Sequence, residues 1–309
     1  MVGSCRVSKQ GFALAAPTLL LVPYFLIMDV LQKNLPRLPP TNIPELLERS
    51  LRDIMQAGRS GRLDAHQAAA LIDGTKITAG QRSLAALPIA QLQPLIRTTF
   101  SSRCSWALFT VEWMVSLDHL FSLLHADRKE PRRVLEVCAG RGVLTVPMRS
   151  RGIEWTATDE RPPSDANPED VSRIGAVAAL KAQLGESDSK PLTAVFWAWW
   201  SKPRAQKKRK AAATEDVSPG TAEAACEVDE DRQLAEFCSD AKIPMVFVGE
   251  PKGGITGSVA LWESGPYEIM TAADFIFSAP GSNFEFCDVP NWHGFADRTF
   301  VILPKESRP

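Results

Sequence analysis

The sequence predicts an α/β protein in which a doubly wound, mostly parallel sheet follows a helical N-terminal region. Three observations support this fold class. Residues 44–126 carry helical patterns separated by short polar turns, and after Pro131 short apolar runs alternate with helical stretches. One of these runs ends in a glycine-containing turn that should open a helix. Strands that alternate with helices along one chain favour a parallel sheet covered by helices on both faces.

Composition limits the classes of protein that this chain can be. The 309 residues suggest about two domains, and 45% hydrophobic residues exclude disorder of the whole chain. Because 35 basic and 36 acidic residues leave a net charge of −1, no overall basic field attracts nucleic acid or anionic membranes. The six cysteines and four histidines lack zinc-site spacing. We therefore expect reduced thiols, no metal, and an intracellular protein, cytoplasmic or nuclear.

The first 40 residues contain an uncharged segment, 12–28, that follows Arg6 and Lys9. This is the charge order of a signal peptide or signal anchor. Pro17 and Pro23 interrupt a membrane-spanning helix, and no cleavage site of small residues follows the segment. A buried apolar segment is the favoured interpretation. A membrane anchor, with the C-terminal domain facing the cytosol, and a targeting presequence are the alternatives.

A helical region is predicted over residues 41–130, after a proline-rich linker that ends near residue 40. Its last helix is apolar on most faces, which is typical of a helix packed between a helical layer and a sheet. The predicted helices are 44–57, 64–73, 81–96 and 105–126.

The α/β domain is predicted over residues 131–309 and contains one inserted segment, 201–232. This insertion is basic at 202–210 and then acidic, so it cannot bury a core and is expected to be a disordered loop. The basic patch is interpreted either as a contact for nucleic acid or a nuclear address, or as part of a solvated loop. The predicted strands are 133–138, 153–158, 192–199, 243–249, 274–277 and 298–303.

The most informative stretch is the turn that follows the first predicted strand. Gly140 and Gly142 allow the backbone to approach a ligand, and the amides of the next helix face it. The second strand ends at Asp159 and Glu160, where a carboxylate can accept both hydroxyls of a ribose. A glycine turn and an acid on adjacent strand ends predict a site for a nucleotide-type ligand.

Two cofactor classes use this arrangement. A dinucleotide fold requires a third small residue in the turn, and Thr145 occupies that position. An acid, Glu136, stands two residues before the turn instead. The text from Glu136 to Gly142 resembles the first motif of class I S-adenosylmethionine-dependent methyltransferases, which runs acid, apolar, Gly, x, Gly, x, Gly. Cys138 stands where that family usually has its first glycine.

The resemblance covers residues 131–309 apart from the insertion, and it implies a Rossmann-like sheet of the class I methyltransferase type with S-adenosylmethionine as cofactor. It implies that Glu136 orients the loop and the methionine amino group. Gly140 and Gly142 would admit the methionine and the ribose, and Asp159 would hold the ribose hydroxyls. In the third motif, Gly175 replaces the usual acid. The remaining cofactor-binding candidates are Cys138, Ala139 and Glu160.

The ends of the fourth and fifth strands are expected to supply the acceptor site, since ligands bind beyond the carboxyl ends of parallel strands. Trp200 could stack on a planar group, although core packing explains the neighbouring tryptophans equally well. Glu250, a possible general base, precedes a loop that contains Gly253, Gly254 and Thr256. This string resembles one in poorly characterised eukaryotic methyltransferase-like proteins. Alternatively, Glu250 caps the following helix.

The function that these observations favour is methyl transfer from S-adenosylmethionine to an unidentified acceptor. The alternative is a catalytically inactive methyltransferase-like module for binding or assembly, because fold does not fix function. A nicotinamide-linked oxidoreductase would need an acid–base residue that the sequence does not offer. Neither the acceptor nor the oligomeric state follows from the sequence.

Overall fold

The computed structural model describes residues 43–74, 77, 89–125, 129–185, 190–198, 230–251, 259–263, 265–292 and 296–305. The chain divides into two compact units, Met1–Glu45 and Leu46–Pro309. Of the first unit, the structure describes only the opening turn of one helix. The predictions for residues 12–28 and 201–229 therefore lie outside the described residues, and the predicted domain division stays a prediction. Within the described ranges, no helix is long and apolar enough to cross a membrane.

Within the described residues, four helices precede the sheet: α1 (Ile43–Arg59), α2 (Ala65–Asp73), α3 (Ile89–Arg103) and α4 (Val111–Leu124). Helix α2 begins with a capping box, in which Asp64 and Gln67 each accept the other's backbone N–H. Helix α3 extends to Arg103, further than predicted, and residues 81–88 of the predicted helix lie outside the described part. Helix α4 begins at Val111 instead of residue 105, because the Thr110 side chain accepts a hydrogen bond from Trp113 N.

Seven strands form one sheet in the order β3-β2-β1-β4-β5-β7-β6. Strands β1 to β5 are parallel, and β7 runs antiparallel to both of its neighbours. This confirms the doubly wound, mostly parallel, Rossmann-like sheet. The strands are β1 (Arg133–Val137), β2 (Glu154–Thr158), β3 (Val171–Ser172), β4 (Ala194–Ala198), β5 (Met245–Gly249), β6 (Tyr267–Thr271) and β7 (Arg298–Pro304).

Helices cover both faces of the sheet, and alternate strand residues belong to two separate apolar cores. On β4, Phe196 packs with Trp113 of α4 on one face, while Trp197 packs with Leu234 on the other. The prediction that α4 packs on the sheet is thereby confirmed. The helices within the α/β region are α5 (Thr145–Arg149), α6 (Ala176–Gly185), α7 (Glu230–Asp240) and α8 (Ala272–Ser278).

Three sequence predictions within this domain are corrected. Residues 274–277, predicted as a strand, lie in α8, which starts where the Thr271 side chain accepts a hydrogen bond from Asp274 N. So short an apolar run does not distinguish a strand from a helix. Strands β3 and β6 were not predicted. The insertion ends before residue 232, because α7 begins at Glu230 and buries Asp231.

Candidate functional site

A cavity of about 520 Å³ opens beyond the carboxyl ends of β1, β2 and β4. The chain leaves β1 toward β2 on one side and returns to β4 on the other, so this edge is the switch point at which such sheets bind ligands. Six predicted cofactor-binding residues line the cavity: Glu136, Cys138, Ala139, Gly140, Asp159 and Glu160. Gly142 and Glu250 lie elsewhere. Trp200, Gly253, Gly254 and Thr256 are outside the described residues, so their predicted role in binding the acceptor stays a prediction.

The two glycines of the turn have different environments. Both have left-handed backbones, with φ of 58° at Gly140 and 67° at Gly142. A Cβ at Gly140 would meet nothing within 4 Å, whereas one at Gly142 would lie 2.5 Å from Cγ2 of Val171 and 3.0 Å from Oγ1 of Thr145. The open position that lines the cavity is therefore Gly140, and Gly142 allows the turn to pack against β3.

Cys138 precedes this turn in a strained backbone conformation. Its backbone is left-handed, with φ of 55°, a conformation that costs a residue with a Cβ about 1–2 kcal/mol. Burial, together with the charges of nearby acids such as Asp159, Glu230 and Glu160, raises the pKa of the Cys138 thiol to about 12. The thiol therefore stays protonated and is unsuited to act as a nucleophile.

Asp159 connects the end of β2 to the glycine turn. Its Oδ2 accepts a 2.9 Å hydrogen bond from Gly140 N, and its Oδ1 accepts one of 2.7 Å from Arg161 N. A carboxylate has about four acceptor positions, so these two bonds leave about two for a ligand. Asp159 thus positions the turn as well as lining the cavity.

Glu136 is a buried carboxyl group in the cavity wall, with 3% of its surface exposed. Burial raises its pKa to about 8; a hydrogen bond from Trp155 opposes this shift, and the charge of Asp159 adds to it. The Trp155 Nε1–H lies 2.7 Å from Oε2 of Glu136. At neutral pH this carboxyl group therefore holds a proton.

One wall of the cavity comes from the helical region, which the sequence analysis had not placed there. Ser101, Cys104 and Trp106 line the cavity from the end of α3 and the segment after it. Arg141 of the glycine turn holds this segment, because its Nη2 donates a 2.6 Å hydrogen bond to the Ser102 carbonyl. The Arg141 Nε also contacts Asp165 at 3.0 Å. No local sequence pattern indicates a contact between residues so far apart.

Glu250 lies at the end of β5, outside the cavity lining. It is 7% exposed, and its Oε1 accepts a 3.4 Å hydrogen bond from Ala296 N. This bond joins Glu250 to the segment before β7. Residues 252–258, where a following helix would begin, lie outside the described residues, so the capping alternative stays a prediction. Among the described residues, no group of three potential metal ligands is close enough to bind a metal ion.

No protein-family model matches the chain, and no curated protein matches its sequence. A low-resolution structure of WbdD aligns with 63% of this chain at 9% identity and a TM-score of 0.39. The chain spans only 35% of the WbdD chain.

Two further solved structures align over more of their own length. Magnesium protoporphyrin IX methyltransferase from Synechocystis PCC 6803, with bound SAM, aligns at 12% identity and a TM-score of 0.27, over 76% of this chain and 93% of that one. The plantazolicin methyltransferase BpumL, in complex with SAH, aligns at 9% identity and a TM-score of 0.30, over 84% and 100%. At these values, neither activity nor site residues are transferred to this chain.

Proposed function

We propose that this protein is an S-adenosylmethionine-dependent methyltransferase and that the cavity beyond β1, β2 and β4 binds the cofactor. One observation carries the proposal: the hydrogen bond from Gly140 N to Asp159. It joins the glycine turn to the acid after β2, at the sheet's switch point and beside open space. Nucleotide-type cofactors bind in this position of an open α/β sheet.

The chemistry of the cavity lining fits this cofactor. Four acidic residues line the cavity, and the guanidinium groups of its two lining arginines already lie near carboxylates, Arg141 at 3.0 Å and Arg161 at 3.6 Å. An excess of acids favours a ligand with positive charges, such as a sulfonium and an ammonium group. The cavity volume of about 520 Å³ is also typical of cofactor sites. The four acidic residues are Glu136, Asp159, Glu160 and Glu230.

Glu136 and Asp159 would hold the cofactor, which supplies a methyl group on a positively charged sulfur. Glu136 would release its proton to solvent when the methionine ammonium group binds and would then accept a hydrogen bond from it. Asp159 has acceptor positions left for the ribose hydroxyls. The main contribution of the chain is thus to position the cofactor and the acceptor. Glu250 is proposed to orient the acceptor or to accept its proton.

Other parts of the proposal concern the partners of the protein. The acceptor is unidentified, the patch at 202–210 is a candidate contact for nucleic acid, and the segment 12–28 is a candidate membrane contact that we do not favour. A cytoplasmic or nuclear location and a place in the eukaryotic branch of the family belong to the same proposal.

The alternative function is an inactive binding or assembly module, and the strained Cys138 in place of a glycine favours it.

The test is calorimetric titration of the full chain with S-adenosylmethionine and S-adenosylhomocysteine, with NAD as the control ligand. Gly175 lines the cavity, and a Cβ there meets nothing within 4 Å, so Gly175→Leu is designed to occupy part of the cavity. Gly185 is equally open but lies at the end of α6, so Gly185→Leu is the matched control.

We expect both cofactor forms to bind, NAD to give no heat, and Gly175→Leu to weaken binding by about tenfold or more, or about 1.4 kcal/mol. Gly185→Leu should bind like the wild type. Absence of cofactor binding in the folded wild type, or equal binding by both variants, would reject the cofactor site. Cofactor binding without methyl transfer to any fraction of nucleic-acid, protein and small-molecule extracts would favour the inactive module.

A further inference from the structure

Two acidic residues, Glu250 and Asp297, occupy opposite positions just beyond the carboxyl end of β5 and the start of β7. The antiparallel pairing of β5 with β7 matches Gly249 with Arg298. Glu250, which follows Gly249, therefore lies opposite Asp297, which precedes Arg298. Both are buried, with exposures of 7% and 2%. Two buried acids at adjacent positions are costly unless their charges are compensated.

Asp297 has an oxygen without a hydrogen-bond partner. Its Oδ1 is buried and has none among the groups that the structure describes. The nearby Asp288 differs, because its Oδ1 accepts hydrogen bonds from Val289 N and from both N and Oγ1 of Thr299. Buried polar atoms nearly always have a hydrogen-bond partner. The Oδ1 of Asp297 is therefore an acceptor position that a donor group of a ligand can fill.

Negative charge exceeds positive charge around Asp297. Asp297 interacts electrostatically with the carboxyl groups of Glu250, which follows β5, and of Asp288, in the segment before β7, and with the guanidinium of Arg97 on α3. Arg298 acts on Asp288 from β7. Burial and the charge of Glu250 raise the pKa of Asp297 to about 7, while Arg97 opposes the shift. The ligand-free protein thus compensates the excess charge with a proton.

Two relationships place this pair next to the cavity. Ala198, which lines the cavity, pairs with Val248, so the Cα of Glu250 lies about 8 Å from that of Ala198. On α3, Arg97 lies one turn before Ser101, another lining residue, so their Cβ atoms are about 5–6 Å apart. The pair therefore lies beside the cavity, on the side of β4 and β5, away from the predicted cofactor residues.

We propose that Glu250 and Asp297 form a subsite for a protonated amine. An N–H of the amine donates to Oδ1 of Asp297, and its positive charge replaces the proton of the Asp297 carboxyl group, which leaves to solvent. The identification of this amine as part of the methyl acceptor rests on the proposed function, whereas the subsite itself does not. An acceptor amine bound here lies next to the cavity proposed for the cofactor.

The test uses three small probes on the full chain: ethylammonium, which has charge and N–H donors, tetramethylammonium, which has charge alone, and ethanol, which has a neutral donor. Nuclear magnetic resonance follows the Asp297 carboxyl carbon and the Ala296 amide. We expect ethylammonium alone to shift both signals saturably and to lower the pH at which the Asp297 carboxyl group titrates. An equal response to tetramethylammonium would overturn the proposal, because general electrostatics would explain it.

Asp297→Asn removes the charge and should weaken ethylammonium binding by about tenfold, measured at the Ala296 amide, since a hydrogen bond to a charged group is lost. Glu268→Gln, an exposed carboxyl group on β6, is the matched control and should bind like the wild type. Equal binding by both variants would overturn the subsite. Should Asp297→Asn fail to fold, the wild-type carboxyl titration with and without ethylammonium decides instead.

Affinity for S-adenosylmethionine, measured in the same samples, separates the two proposals. We expect it to be unchanged in Asp297→Asn, because Asp297 is not part of the cavity lining. Binding of ethylammonium without binding of the cofactor would support the subsite and reject the proposed function. Binding of the cofactor without any response to ethylammonium would reject the subsite and support the proposed function.

Discussion

The indole Nε1–H of Trp155 donates a 2.7 Å hydrogen bond to Oε2 of Glu136 and so joins strands β2 and β1 in the wall of the cavity. The two side chains face the same core, and both are nearly fully buried. This hydrogen bond stabilises the ionised form of Glu136, but burial outweighs it and raises the pKa to about 8. The site therefore contains a carboxyl group that titrates near neutral pH.

The first prediction concerns stability and pH. Between its ordinary value of 4.5 and about 8, Glu136 holds a proton in the folded protein but not in the unfolded one. The free energy of unfolding therefore falls as the pH rises through this window. We expect Glu136→Gln to remove up to about 1.4 kcal/mol per pH unit of that decline. Urea unfolding of the wild type and of Glu136→Gln at pH 5, 6, 7 and 8 measures this decline in the free energy of unfolding. Parallel pH profiles of the two proteins would contradict the raised pKa of Glu136.

Trp155→Phe provides a second test of the same pair. It removes the donor that lowers the pKa of Glu136 and keeps an aromatic ring in the core. The pKa should then rise further, so the stability decline extends above pH 8. A general loss of packing would lower stability equally at every pH. The shape of the profile thus separates the hydrogen bond from the packing.

The second prediction concerns the strained cysteine. Because a left-handed backbone costs any residue with a Cβ about 1–2 kcal/mol, Cys138→Gly should be more stable than Cys138→Ala by about 1 kcal/mol, after the greater flexibility of glycine in the unfolded chain is subtracted. Alanine removes the same sulfur but keeps the strain, which makes it the matched control. Thermal and urea unfolding of the two variants give the difference. Equal stability would mean that the backbone relaxes at no cost.

The third prediction separates the two glycines of the turn. At both Gly140 and Gly142, alanine is destabilised to a similar extent by the left-handed backbone. Only at Gly142 would the added Cβ clash with Val171. We expect Gly142→Ala to be less stable than Gly140→Ala by about 1–3 kcal/mol, the usual cost of overpacking. Urea unfolding measures both variants. Adding Val171→Ala should recover part of the loss in Gly142→Ala and none in Gly140→Ala, and the opposite pattern would exclude the contact.

The fourth prediction concerns Arg141, which holds the cavity wall from the helical region. Arg141→Ala should speed hydrogen exchange at the amides of residues 101–107, because the bond to the Ser102 carbonyl is lost. Global stability should change little, since the Asp165 carboxylate that pairs with Arg141 is largely exposed. Mass spectrometry of the exchanged protein measures the effect by segment.

Asp165→Asn is the control for Arg141→Ala, because it removes the ion pair and leaves the bond to Ser102 in place. Exchange over residues 101–107 should then stay near the wild-type rate. The Arg141 guanidinium also lowers the pKa of Asp165, so that pKa should rise toward its ordinary value in Arg141→Ala. If both variants exchanged faster than the wild type by the same factor, the ion pair with Asp165, and not the bond to the Ser102 carbonyl, would hold this wall of the cavity.

Local patterns were sufficient to predict the centre of the fold. Alternation of apolar runs and helices predicted strands β1, β2, β4, β5 and β7. The sequence pattern did not predict β3 or β6, for two different reasons. Strand β3 has only two residues, and β6 lies at the antiparallel edge, where the chain departs from the alternating pattern. The apolar run in α8 was too short for its period to distinguish a helix from a strand.

The sequence by itself determined the glycine turn, the acids at the ends of β1 and β2, and hence the place of the cavity, because each depends on residues close together in the chain. Only the tertiary structure decided which neighbours these residues have. It placed Val171 against Gly142, brought Ser102 to Arg141, and set Asp297 beside Glu250. Such contacts join segments far apart in sequence, and packing and strand register determine them, so no local period reveals them.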